Sequence, residues 1–184
     1  MLCVISALCL IEAQAFGGND IIHERYGYVK LNGVAVWQAS WLGEYPWYGE
    51  YPLNRGANVM IVDPSSCTLQ EWRKFDIFVL PDTAARLRDY LQAQSDETIL
   101  VGVSCDTAHK HLSDALPTLS ALGVNVADVG FYGAWVFAAV KGDPSRTVLD
   151  KQLNLSAEAN TTQPRINVTF GKCDHTLHGS ATVF

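Results

Sequence analysis

Thr98-Ile99-Leu100-Val101-Gly102-Val103 is an apolar, β-branched run, with charge before it at Asp96-Glu97 and polar residues after it at Ser104 and Asp106. A short run of this kind reads as a central strand of a sheet. Upstream, Pro81–Gln94 reads as a helix. Ala84, Leu87 and Leu91, with Tyr90 beside them, share one face, while Arg86, Arg88, Asp89 and Gln92 fall largely on the other. Pro81 and Asp82 suit its start. Further upstream, Ala57–Val62 and Thr68–Phe75 flank the turn residues Asp63-Pro64-Ser65-Ser66, which predicts a hairpin. Tyr26–Trp37 alternates around Asn32-Gly33, a dipeptide that favours a tight turn, and predicts another. The aromatic, Gly- and Pro-rich stretch Gln38–Arg55 has no period and reads as a loop.

Downstream, Leu112, Leu116, Leu119 and Leu122 form the stripe of a second helix. Ser113 can cap it and Gly123 can end it, and Pro117 implies a later start or a kink. Trp135–Val140 reads as a final strand, closed by Lys141-Gly142-Asp143-Pro144. Past Ser145 the apolar period fades. These elements make one α/β domain over 16–153, followed by a tail, 154–184.

The 184 residues suffice for one domain with a sizeable core. Charged residues are 17% and the net charge is −6, with Lys and Arg scattered, which argues against nucleic acid and anionic membranes as partners. Met1–Ala15 has an apolar stretch and an Ala13-Gln14-Ala15 triplet, and is expected to be a cleaved export signal; the competing reading is a buried first strand or helix. No other stretch is long and apolar enough to insert into a bilayer. Asn154-Leu155-Ser156, Asn160-Thr161-Thr162 and Asn167-Val168-Thr169 are glycosylation acceptors, which also points to a secreted, extracellular protein. If Cys3 and Cys9 leave with the signal, then Cys67, Cys105 and Cys173 remain as disulfide candidates. The odd one is then buried or joins two chains in a disulfide-linked homodimer.

Arg55-Gly56-Ala57-Asn58-Val59, Phe75-Asp76, Thr98–Val103, Asp106, Leu122-Gly123, Gly130 and Trp135-Val136-Phe137 with Lys141-Gly142 stand in a telling order. In this order and spacing, 54–142 resembles the ILEI/PANDER domain of small secreted cytokine-like proteins. The resemblance implies an α+β fold: two antiparallel sheets forming a sandwich-like core, with about two helices packed on them. It implies a cytokine-like ligand for a cell-surface receptor or, alternatively, a lectin-like module that binds a glycan. In sugar-binding members an Asp equivalent to Asp106 and an Arg face the ligand, and such a pair can hold vicinal hydroxyls. This chain keeps Asp106 but has Gly133-Ala134 where the family usually has Arg-Asp.

Candidate ligand-binding residues are therefore Asp106, Arg55, Trp47, Tyr48 and Trp135. Trp47 and Tyr48 belong to the aromatic loop, which could stack on sugars or anchor a partner. Asp106 could instead cap a turn, Trp135 could pack in the core, and Arg55 could pair with Asp76. Cys105, His109 and His111 have a metal-like spacing, but in an exported protein a disulfide is the commoner fate of cysteine, and no metal or cofactor is expected. No hydrolase, phosphate-loop or dinucleotide motif occurs, so no enzymatic activity is expected.

Overall fold

The run at 99–103 lies in the middle of a sheet covered on both faces, which is why it carries no polar alternation. The computed structural model describes residues 9–17, 27–39, 54–106, 108–131, 133–153, 163–170 and 177–180. In chain order the elements begin with β1 (Cys9–Gln14), β2 (Phe16–Gly17), β3 (Tyr28–Leu31), β4 (Val34–Gln38), β5 (Gly56–Asp63) and β6 (Thr68–Phe75). Then come α1 (Thr83–Gln92), β7 (Ile99–Asp106), a 3-10 turn at Ser113–Ala115 and α2 (Leu116–Ala121). Last are β8 (Ala134–Val140), β9 (Asp143–Gln152), β10 (Arg165–Phe170) and β11 (Leu177–Ser180).

One sheet has the order β11-β10-β1-β3-β4 and the other β6-β5-β7-β8-β9. Neighbours in both orders run antiparallel. β2 adds a short parallel pairing at the end of β7, with Phe16 opposite Cys105 and Gly17 opposite Asp106. The expected sandwich with two helices is thus the fold, arranged as three layers.

Strand alternation sorts the side chains between two cores. Between the sheets lie Ile11, Val29, Met60, Val101, Val103, Val136 and Val168. On the other face of the second sheet, Val59, Leu100, Trp135 and Phe137 meet Leu87 and Leu91 of α1 and Leu119 of α2. The Phe137 ring occupies the space that a side chain at Gly102 would need, since a Cβ there would stand 2.1 Å from it.

The predicted turns follow the chemistry of their residues. Asn32 and Gly33 have φ of 50° and 80°, the left-handed pair that a two-residue hairpin requires. Pro117 sits in the first turn of α2, so the helix starts late, as one of the two readings had it. Neither Asp82 nor Ser113 caps its helix through its side chain. Gly123 ends the second helical segment with φ 82°.

The structure departs from the expected boundaries at both ends. The segment expected to be cleaved supplies β1, the middle strand of its sheet, hydrogen-bonded to β3 and β10. Ile11, Ala13 and Ala15 are 0% exposed. In the structure they are packed in the inter-sheet core, which their removal would open. The boundary at Leu153 is also not a boundary of the fold. Arg165–Phe170 pairs along all of β1 and buries Ile166 and Val168. β9 extends the second sheet past the strand expected to be final. As an edge strand it is half-buried along most of its length, so it shows no clear apolar period.

The cysteines change accordingly. Cys67 is bonded to Cys9, across 58 residues of chain, which ties β1 to the β5–β6 turn. Cys105 is not a disulfide cysteine, because alternation turns it into the inter-sheet core, where it is free and 2% exposed. Its thiol therefore cannot reach a second chain. Cys173 lies outside the described residues. No helix among the described residues is long and apolar enough to cross a membrane.

Candidate binding surface at the loop end of the central sheet

Register gathers the candidate residues at one end of the second sheet. Gly56 opposes Cys105, Ala57 opposes Phe75, and Ala134 opposes Gln152. Arg55, Asp76, Asp106, Gly133 and Leu153 therefore all leave the sheet at the same end, here called the loop end.

Arg55 and Asp76 form the base of this end. Arg55 is 3% exposed, and its guanidinium grips the Asp76 carboxylate through Nε (3.2 Å to Oδ1) and Nη2 (2.9 Å to Oδ2). A buried Arg with a two-point carboxylate partner is a structural clamp. Asp76 Oδ1 also accepts the backbone N–H groups of Phe78 and Val79, each at 3.3 Å. The ion pair thus shapes the turn after β6. Gly56, with φ 98°, lets the Phe75 carbonyl approach to where a Cβ would stand 2.2 Å from it. Arg55-Gly56 and Phe75-Asp76 are two halves of one closure. Of its two readings, the ion pair with Asp76 is the one the structure contains.

That clamp presents apolar side chains to solvent. Val79, Leu80 and Phe131 are 45%, 47% and 48% exposed. The Phe78 ring lies 6.4 Å from that of Phe131, under the Arg55 guanidinium (5.2 Å) and the Lys110 ammonium (4.9 Å). The His109 ring meets Phe131 edge-on at 5.6 Å. Burial, with Lys110 beside it, holds the His109 imidazole below its usual range, so it is neutral near pH 7 and adds to the apolar surface. Sequence periodicity missed this patch. Its one legible signal is Phe78-Val79-Leu80, three apolar residues before Pro81 that fit no strand or helix.

Asp106 lies at the same end, half-buried, in the left-handed conformation with φ 59°. It adds to burial in pushing the Cys105 thiol well above its usual range, which leaves that sulfur protonated and unreactive. Gly133 is buried, and a Cβ there would stand 2.6 Å from the Leu153 carbonyl, 2.8 Å from that of Gln152 and 2.5 Å from Val129. Where the resemblance implies an Arg facing a sugar, this backbone leaves no room for any side chain.

Trp135 is not a surface residue. It is 0% exposed on the helix side of β8, stacked 5.8 Å from Phe137, and donates its backbone N–H to Ser104 Oγ at 2.8 Å. Alternation of β8 turns it inward, so it supports the fold rather than a ligand. Trp47, Tyr48, Asn154 and Asn160 lie outside the described residues. Asn167 is exposed on β10.

The family model described as "Interleukin-like EMT inducer" matches residues 55–143, which span β5 to the end of β8 and contain the clamp and the patch. Over 99 residues, 53% of the chain, the sequence is 34% identical to the cell migration-inducing and hyaluronan-binding protein of Homo sapiens. It is 32% identical over the same length to the Mus musculus protein of that name. The matched part covers 7% of the length of these relatives.

Proposed function

We propose, from the match of residues 55–143 to the interleukin-like EMT inducer family model, that the protein is an extracellular, cytokine-like ligand. In this reading it engages a protein receptor through the Phe78–Phe131 patch and catalyses no reaction. The observation that carries the reading is three large apolar side chains, Val79, Leu80 and Phe131, each nearly half exposed in loops at one end of the sheet, where the Arg55–Asp76 ion pair shapes the turn that carries Val79. Grouped exposed apolar residues with an aromatic centre and a cationic rim are what receptor-binding surfaces use. The Cys9–Cys67 disulfide supports an oxidising compartment.

Labelled protein bound to cells tests this. Phe131→Ala with Leu80→Ser should weaken saturable cell-surface binding by about tenfold or more. Both residues are on the surface, so the melting temperature should stay within a few degrees. Undiminished binding by the double variant would refute the reading.

A glycan ligand is the second reading, favoured by Asp106 at the loop end and by the hyaluronan binding that the relatives' name records. The closed space at Gly133 counts against the family's paired Asp–Arg mode. Saturable binding to hyaluronan on an array, abolished by Asp106→Ala, would put this reading first.

A further inference from the structure

The outer face of the five-stranded sheet is mostly polar over β1, β3 and β10, with Leu10 and Ala35 the apolar exceptions, and no third layer covers it among the described residues. Ile11 and Ala13 of β1, Val29 and Leu31 of β3, and Ile166 and Val168 of β10 point inward. Glu12, Gln14, Tyr28, Lys30, Arg165 and Asn167 therefore point outward. They pair with one another: Tyr28 Oη donates to Glu12 Oε1 at 2.6 Å, Lys30 Nζ stands 3.5 Å from Glu12 Oε2, and Arg165 Nε donates to Gln14 Oε1 at 3.1 Å. Asn167, register partner of Glu12, is exposed on this face.

Asn167-Val168-Thr169 is an acceptor triplet laid along a strand. The period of two puts Asn167 and Thr169 outward together and buries Val168 between them. A polar face can carry a bulky hydrated group at Asn167 without losing any packing.

We infer that Asn167 is an N-glycosylation site whose glycan covers the outer face of the five-stranded sheet. Transfer forms a bond from Asn167 Nδ2 to the anomeric carbon of the first sugar. It breaks the bond from that carbon to the diphosphate of a lipid-linked oligosaccharide, and the lipid diphosphate leaves as the amide loses a proton. The inference rests on the extracellular reading above. It leaves the binding patch clear, because Ile77, Ala108 and Val129, the neighbours of Phe78, His109 and Phe131, pack on the helix side of the other sheet. Two layers of protein, each about 10 Å thick, separate the glycan from the patch.

The test expresses the full chain in secretory cells, once as it stands and once behind an added export signal. In material from the second form, with the Cys9–Cys67 bond intact, the peptide holding Asn167 should carry a glycan. Asn167→Gln and Thr169→Ala should each remove the same mass increment, with the melting temperature little changed. Disulfide-bonded protein whose Asn167 peptide is unmodified would overturn the inference. Failure of the unaided chain to be exported, while the aided chain is glycosylated at Asn167, would overturn the extracellular reading alone.

Discussion

Replacing Cys9 and Cys67 together by Ala removes a crosslink that closes a loop of 58 residues. The crosslink restricts the unfolded chain, and the loop-entropy relation for a closure of this length gives about 4 kcal/mol at 25 °C. Small domains are stable by only about 5–15 kcal/mol, so this one bond is a large share of the total. Urea unfolding followed by tryptophan fluorescence measures it, with reduced wild-type protein as a companion. Reduced wild type and the double variant should lose similar amounts. Deleting residues 1–15 should do more, because it takes the middle strand of a sheet as well as the bond. A loss below about 1 kcal/mol in both reduced and substituted protein would refute the reasoning. So would a deletion variant that unfolds like the full chain, because that outcome requires β1 to lie outside the stable fold.

Gly133→Arg should lower the melting temperature sharply and fail to create sugar affinity, because its Cβ would press on the carbonyls of Gln152 and Leu153; a stable variant that binds sugar would refute this. Trp135→Ala should cost about 3–5 kcal/mol in urea unfolding, as a fully buried aromatic does, and a surface-like loss under about 1 kcal/mol would return Trp135 to the list of ligand contacts. Alkaline titration should destabilise the protein through two tyrosines. Burial, and for Tyr28 the hydrogen bond to Glu12, push Tyr28 and Tyr90 up to about 12, so from about pH 10 the unfolded chain loses protons first and stability falls as pH rises. Tyr28→Phe combined with Tyr90→Phe should flatten that slope in unfolding curves taken from about pH 9 to 12, and an unchanged slope would refute the cause.

What could be read from the sequence was whatever had one buried face and a clear turn. The Asn32-Gly33 hairpin, the β5–β6 hairpin, both helices and the 99–103 strand have those properties. β1 was masked by its own composition, since a buried strand ending in Ala13-Gln14-Ala15 has the same apolar run and small residues as an export signal. β9 is half-buried on both faces and lacks a period, while β10 is short and its alternation is interrupted by the polar residues of an acceptor triplet. The site was less legible than the fold. Arg55 and Trp135 were visible as landmarks but serve the fold, one by clamping Asp76 and the other by packing on Phe137. Phe78, Val79, Leu80, Lys110 and Phe131 come from three loops, and only the register of the strands between them brings them to one end.

The described strand ends Gln14, Tyr28, Gln38, Gly56, Phe75, Gln152 and Arg165 all lie at the loop end, while the opposite end is pinned by Gly33, by Cys67 in its disulfide and by Gly142. Chain length is therefore fixed at one pole and adjustable at the other. Doubling a loop costs only about 0.6 kcal/mol in closure entropy, far less than one broken core contact. The scaffold can acquire new recognition by lengthening or exchanging segments at that pole, in the way that a tool holder accepts different bits, while both cores and the crosslink stay as they are.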